Sequence, residues 1–158
     1  MAQPSTDPDL MNAIIGVAPG SPLAELRAQR PDILRHTQGS HDVLLSPDDP
    51  GGLSLAERAF AAHRVAELSG HAPLTNHYQA LLDARGAPPP NPRTAAILTH
   101  AERLAAAPGT ATKAHLATLT AVGLNARDIV ALAQLAAFVA YQVRAAVGLT
   151  LLAQEKAA

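Results

Sequence analysis

Leu53-Ser54-Leu55-Ala56-Glu57-Arg58, then Arg64-Val65-Ala66-Glu67-Leu68-Ser69-Gly70, then His71-Ala72-Pro73-Leu74, lie within residues 53–85, where helix punctuation is clearest. Apolar residues recur there at helical spacing, so the stretch reads as an amphipathic helix from Ser54 to Leu68 and a second from about His71 to Arg85. Ser54 with Glu57 three residues later is a capping box for the first helix. Ser69-Gly70 breaks the pair. Gly86 stops the second, because glycine takes the left-handed C′ geometry at little cost.

The same punctuation runs outward in both directions. Asp7-Pro8 and Ser21-Pro22 each place an N-cap before a proline in the first turn, predicting helices to about Ile15 and Gln29. Pro31 to about Leu44 reads as another helix, with Gly39 as a point of interruption. Ser46-Pro47-Asp48-Asp49-Pro50-Gly51-Gly52 is a loop by composition. Asn91-Pro92 opens a helix to about Ala106, and Pro108-Gly109 breaks it. Thr110 is the expected cap of the next helix, which ends at Gly123. Asn125 with Asp128 opens a final helix to about Gln154. No β-branched alternation lasts four residues. The expectation is an all-α, single-domain bundle of about eight helices, with residues 1–52 as a helical extension and 53–158 as the core.

Composition narrows what such a bundle can do. The chain has 158 residues, 48% hydrophobic but only 3% aromatic, with no Trp and no Cys. Its core must be Ala, Leu, Val and Ile, which suits close helix-on-helix layers. A net charge of −1 attracts neither nucleic acid nor anionic lipid. The absence of Cys excludes disulfides, thiolate–metal sites and thiol nucleophiles together. Met1-Ala2-Gln3-Pro4-Ser5 lacks a basic segment followed by an apolar run, so no signal peptide is read and a cytoplasmic location is the default. Ile129–Leu152 is long enough to span a membrane, but Gln134, Gln142 and Arg144 argue for a helix buried in an oligomer instead.

The stretch 53–85 resembles the core of the carboxymuconolactone decarboxylase / alkylhydroperoxidase D-like superfamily. Ala121-Val122-Gly123-Leu124-Asn125-Ala126-Arg127-Asp128-Ile129-Val130, continuing through Phe138 to Arg144, resembles its last long helix. Ile15-Gly16-Val17-Ala18-Pro19-Gly20-Ser21-Pro22-Leu23 resembles the start of a cysteine-less subgroup. In the peroxidase branch the glycine of the break is followed by Cys-x-x-Cys, and a His lies four residues after the second Cys. Aligned on Gly70, the cysteine positions here hold His71 and Leu74. The His position holds Tyr78, with His77 one residue early, and the relay Glu falls on Ala59. A shift of two rescues Glu57 but puts Ser69 and Ala72 at the cysteines and Asn76 at the His. No register restores a dithiol, so thiol-dependent peroxide reduction is not expected.

Two other chemistries remain open. The decarboxylase branch needs neither dithiol nor cofactor, and it implies acid/base groups in an apolar pocket. His71 or His77 would be the base, since the positive end of the helix dipole favours a neutral ring there. Tyr78 would donate to an oxyanion. On the last helix Gln134 and Tyr141 share a face, and Tyr141 neighbours Arg144. A buried Arg144 would bind a substrate carboxylate, or Glu57, Glu67 or a neighbouring subunit. Alternatively the chain is a non-catalytic partner of a thiol-bearing relative. The resemblance implies homo-oligomers, trimers or multiples of them. His63 and Glu67 share a helical face, but no third metal ligand converges on them and no metal site is expected. No haem-ligand motif is visible, so no cofactor is expected either. His36 and His41 lie before the loop, with nothing to select them.

Overall fold

The computed structural model describes residues 9–155. They form eight α-helices, one 3₁₀ turn and, among the described residues, no strand. In chain order these are α1 (Leu10–Ile15), α2 (Pro22–Ala28), α3 (Pro31–Leu45), α4 (Leu55–Leu68), α5 (Ala72–Arg85), α6 (Pro92–Ala106), α7 (Lys113–Ala121) and α8 (Ala126–Glu155).

The helices begin and end where side chains can satisfy orphan backbone groups. Ser54 and Glu57 make both bonds of the capping box at α4. Gly70 follows it with φ +67°, the left-handed geometry that favours glycine. Asn91 caps α6 with a proline following it. At α8, Asn125 and Asp128 exchange side-chain-to-backbone bonds of 3.0 Å in both directions. Three boundaries differ from expectation. Asp7 and Pro8 lie outside the described residues, and α1 is capped by Asp9, whose carboxylate accepts from Met11 and Asn12. α3 runs unbroken through Gly39, where helical backbone costs glycine only about 1 kcal/mol. Pro108–Thr110 is a 3₁₀ turn, so the cap of α7 is Thr112, with His115 completing its capping box.

α4 and α8 form the centre. α4 packs on α5, α6 and α8, and α6 also lies on α8. The buried face of α4 is mostly alanine (Ala59, Ala61, Ala62 and Ala66 with Val65), which lets neighbouring helices approach closely. Leu132, Leu135, Ala136, Val139 and Ala146 give α8 its buried face. α1, α2 and α3 pack along the rest of α8. Among the described residues, one helix (Ala126–Gln154) is long and apolar enough to cross a membrane, and 39% of its apolar window is buried within the fold.

A knot of charge ties the loop 46–53 to this centre. Arg58 is buried and donates to the carbonyls of Leu53, Leu44 and Pro50 at 2.9, 2.7 and 3.0 Å. Asp128, also buried, accepts from the backbone N–H of Gly52 at 2.8 Å. Arg93 pairs with Glu57 at 2.6 Å and donates to Val122 O at 3.0 Å.

Candidate functional site

The polar residues singled out in the sequence fall into two places rather than one. The first is the face of α5. His71 is its N-cap, and Nδ1 accepts from the N–H of Leu74 at 3.3 Å. That bond occupies the lone pair a base at this position would use. Tyr78 is fully buried and its hydroxyl donates to Oε1 of Gln142 on α8. Burial raises its pKa, and the bond to Gln142 offsets only part of the rise. Tyr78 therefore stays a neutral hydrogen-bonding group joining α5 to α8.

His77 is half-buried, and its Nε2 lies 3.4 Å from Nε2 of His41 on α3. The rings are tilted by 50°, and His77 also meets Tyr78 edge-on at 5.0 Å between centroids. Nδ1 of His41 is 3.2 Å from Asp42 Oδ1, a carboxylate that is largely exposed. Burial, with His41 alongside, pushes His77 down to about 4. Burial lowers His41 as well, against the opposing pull of Asp42. Both rings are thus neutral near pH 7, as a general base must be.

The second place is a groove of about 630 Å³ between α8 and α1–α3. Its apolar wall includes Met11, Leu26, Ile33, Leu34, Leu149 and Leu152. Arg27, Arg30, Thr37, Tyr141 and Arg144 supply its polar groups. The Thr37 and Tyr141 hydroxyls lie 3.3 Å apart. Arg27 is engaged by Asp9 at 2.9 Å and by Asn12. Among the described residues neither Arg30 nor Arg144 makes an ion pair or a side-chain hydrogen bond.

The sequence suggests a buried Arg144 that binds a substrate carboxylate, Glu57, Glu67 or a neighbouring subunit. Arg144 is exposed on the groove, because α8 turns residues 141 and 144 away from its buried face. Glu57 is already held by Arg93 and Glu67 by Arg64 at 2.7 Å. Burial opposes ionisation of Glu57, but its bonds to Arg93 and Ser54 outweigh this and keep its pKa below the ordinary value. Glu67 does not pair with His63, and no group of three metal-ligating side chains exists among the described residues. Gln134 is exposed on α8 and does not line the groove.

The groove and the histidine pair are close along α3. Thr37 and His41 are four residues apart, one turn and about 6 Å of rise. His41 and Arg30 are the residues sequence reasoning passed over. The four-residue spacing of Thr37 and His41 was visible, but only the packing of α3 beside α5 and α8 gives it meaning.

No protein-family model matches the sequence, and no curated protein matches it. Solved structures do. One is an uncharacterized peroxidase-related protein from Silicibacter sp. TM1040, with 20% identity over 88% of this chain and 78% of that one and a TM-score of 0.57. Another is an alkylhydroperoxidase AhpD core, an uncharacterized peroxidase-related protein from Ralstonia eutropha JMP134. It shows 25% identity over 93% of this chain and 86% of that one, with a TM-score of 0.56. This chain therefore has the all-α fold of the alkylhydroperoxidase-core, peroxidase-related proteins, and it carries that fold without a single cysteine.

Proposed function

We propose that this protein is a thiol-independent member of the alkylhydroperoxidase D-like superfamily that performs cofactor-free acid/base chemistry on a small carboxylate or lactone acid. The supporting observation is the groove beside α8, which combines apolar walls with Arg144, Arg30 and the Tyr141 hydroxyl one turn of α3 away from a neutral histidine pair. In this reading the Arg144 guanidinium takes the substrate carboxylate as a two-pronged hydrogen-bond partner. The Nδ1 lone pair of His77 takes a proton from the carbon beside the substrate carbonyl, and the proton on its Nε2 passes to Nε2 of His41. The resulting negative charge on oxygen is held by the Tyr141 hydroxyl and by the nearby guanidinium. His41, oriented by Asp42, passes the proton toward solvent. The assay is turnover of small lactone acids without added thiol. His77→Ala is expected to lose about 100-fold in kcat, the scale of one acid/base group. Unchanged turnover in His77→Ala and His41→Ala would remove this assignment.

A second reading has its own support. Val130, Val147 and Leu151 are 54%, 46% and 56% exposed on α8, outside the groove. Exposed apolar side chains of that kind, Val147 and Leu151 being one turn apart, suit a homo-oligomer, or a mixed oligomer in which this chain is the non-catalytic partner of a thiol-bearing relative. Co-expression with such a relative separates the two. Mixed oligomers on size-exclusion chromatography favour the partner role, and exclusive self-association rejects it.

A further inference from the structure

We infer that the groove between α8 and α1–α3 binds a medium-chain fatty carboxylate, its head group taken by Arg30 and Arg144 and its alkyl tail lying on the apolar wall. This rests on reading the groove as the substrate site, and not on the histidine chemistry.

Three observations select this class. The first is size. A volume of about 630 Å³ leaves room beyond a carboxylate held at Arg144 and lies within the range of sites for organic ligands. Along α8 the lining runs from Tyr141 to Leu152, a rise of about 16 Å, which accommodates an extended tail of about ten carbons. The second is the distribution of polarity. Arg27 is consumed by Asp9 and Asn12, while Arg30 and Arg144 carry no partner among the described residues. Apart from these arginines and the Thr37 and Tyr141 hydroxyls, which lie 3.3 Å from each other, the remaining wall is apolar, with Ile33 53% and Leu152 45% exposed. Two guanidinium groups without a partner among the described residues, on an apolar trough, fit one anionic head on one hydrocarbon body.

The third is Gly148. It lies inside α8 with helical geometry, where glycine is a poor choice. A Cβ built on it meets nothing within 4 Å, so the packing of this chain does not require it. It does line the groove. The missing side chain leaves room against the helix backbone at the middle of the trough.

The test uses the full chain and displacement of a fluorescent fatty-acid probe. Decanoate is expected to displace the probe, with butyrate and decanol each at least tenfold weaker, since each lacks one half of the recognised ligand. The Arg30→Ala/Arg144→Ala double variant should bind decanoate about tenfold more weakly or worse, the scale of losing a charge-assisted hydrogen bond. Gly148→Trp should abolish binding. The chain has no other Trp, so blue-shifted emission from this indole would place it in the trough, with circular dichroism checking that the helices remain. No displacement by decanoate overturns the inference, as does displacement unaffected by both variants. Dissociation of an oligomer by Gly148→Trp also overturns it, because it assigns the trough to a second copy. Should butyrate bind as tightly as decanoate, and only with Arg144 present, the tail class fails while the small-carboxylate function stands. Decanoate binding as expected beside unchanged lactone turnover in His77→Ala leaves this inference in place and removes the acid/base reading.

Discussion

The two ends of α8 handle charge in opposite ways. At its start Asp128 is buried and bonded to Gly52 and Asn125, and Arg58 and Arg93 are occupied by backbone carbonyls and Glu57. Toward its other end Arg144 faces an open apolar groove with no partner among the described residues. Buried charges that are fully satisfied hold a loop and four elements in one arrangement. Unsatisfied guanidinium groups beside exposed apolar side chains do nothing for a monomer's stability. The contrast separates residues used to build the shell from residues available to something outside it.

Substitutions at the first end should therefore unfold the protein, and those at the second should leave it folded. The largest effect is expected from Arg58→Ala. It leaves three backbone carbonyls without a donor and should lower stability by about 3 kcal/mol or more in urea denaturation. Arg144→Ala should stay within about 0.5 kcal/mol in the same assay. Gly52→Ala comes next. Its Cβ would collide with the Asp128 carboxylate, which hydrogen bonds hold in place, for a loss of about 1–3 kcal/mol. Gly148→Ala, at the open end, should instead stabilise by about 0.5–1 kcal/mol, because its Cβ meets nothing. Equal losses at both glycines would erase the contrast.

Between the ends, Tyr78→Phe strands the buried carboxamide oxygen of Gln142 and should cost about 1–2 kcal/mol. A further effect is pH-dependent. His77 titrates at about 4 when folded and near 6.5 when unfolded, so the unfolded chain binds more protons between those values. Its contribution is fully present above pH 6.5 and lost as pH falls toward 4. Asp42 and Arg85 act on His41 with opposite signs, and Tyr78 packs on His77. A His41→Gln/His77→Gln variant should flatten the slope of melting temperature against pH across that window, and an unaltered slope would place its origin elsewhere.

Much of the fold was legible in local chemistry. Capping residues and prolines mark Ser21, Ser54, Asn91 and Asn125 as starts, and each is paired with a bond to the residue three positions on. The failures were local competitions. Thr110 and Thr112 are both capping residues, and the proline before Thr110 drew it into a 3₁₀ turn. Gly39 weakens a helix without ending one. The site was less legible because it depends on which helices lie side by side. Tyr141 and Arg144 proved to share a groove with each other, but not with His71 or Tyr78. His41 acquires its neighbour His77 only through the packing of α3 against the bundle, 36 residues away in sequence. The apolar background of α8 reads as a wholly buried helix, and it does not reveal that Gln142 is the residue turned inward and Arg144 the one turned out.

In this shell without sulfur, neutral imidazole rings and cationic guanidinium groups are proposed to carry the chemistry. Steady-state turnover of small lactone acids, with no thiol present, tests this most directly by comparing the native protein with His77→Ala and Arg144→Ala. The expected result is measurable native turnover, a fall of about 100-fold in kcat for His77→Ala and a rise in KM for Arg144→Ala. Native activity that survives both substitutions unchanged would contradict it.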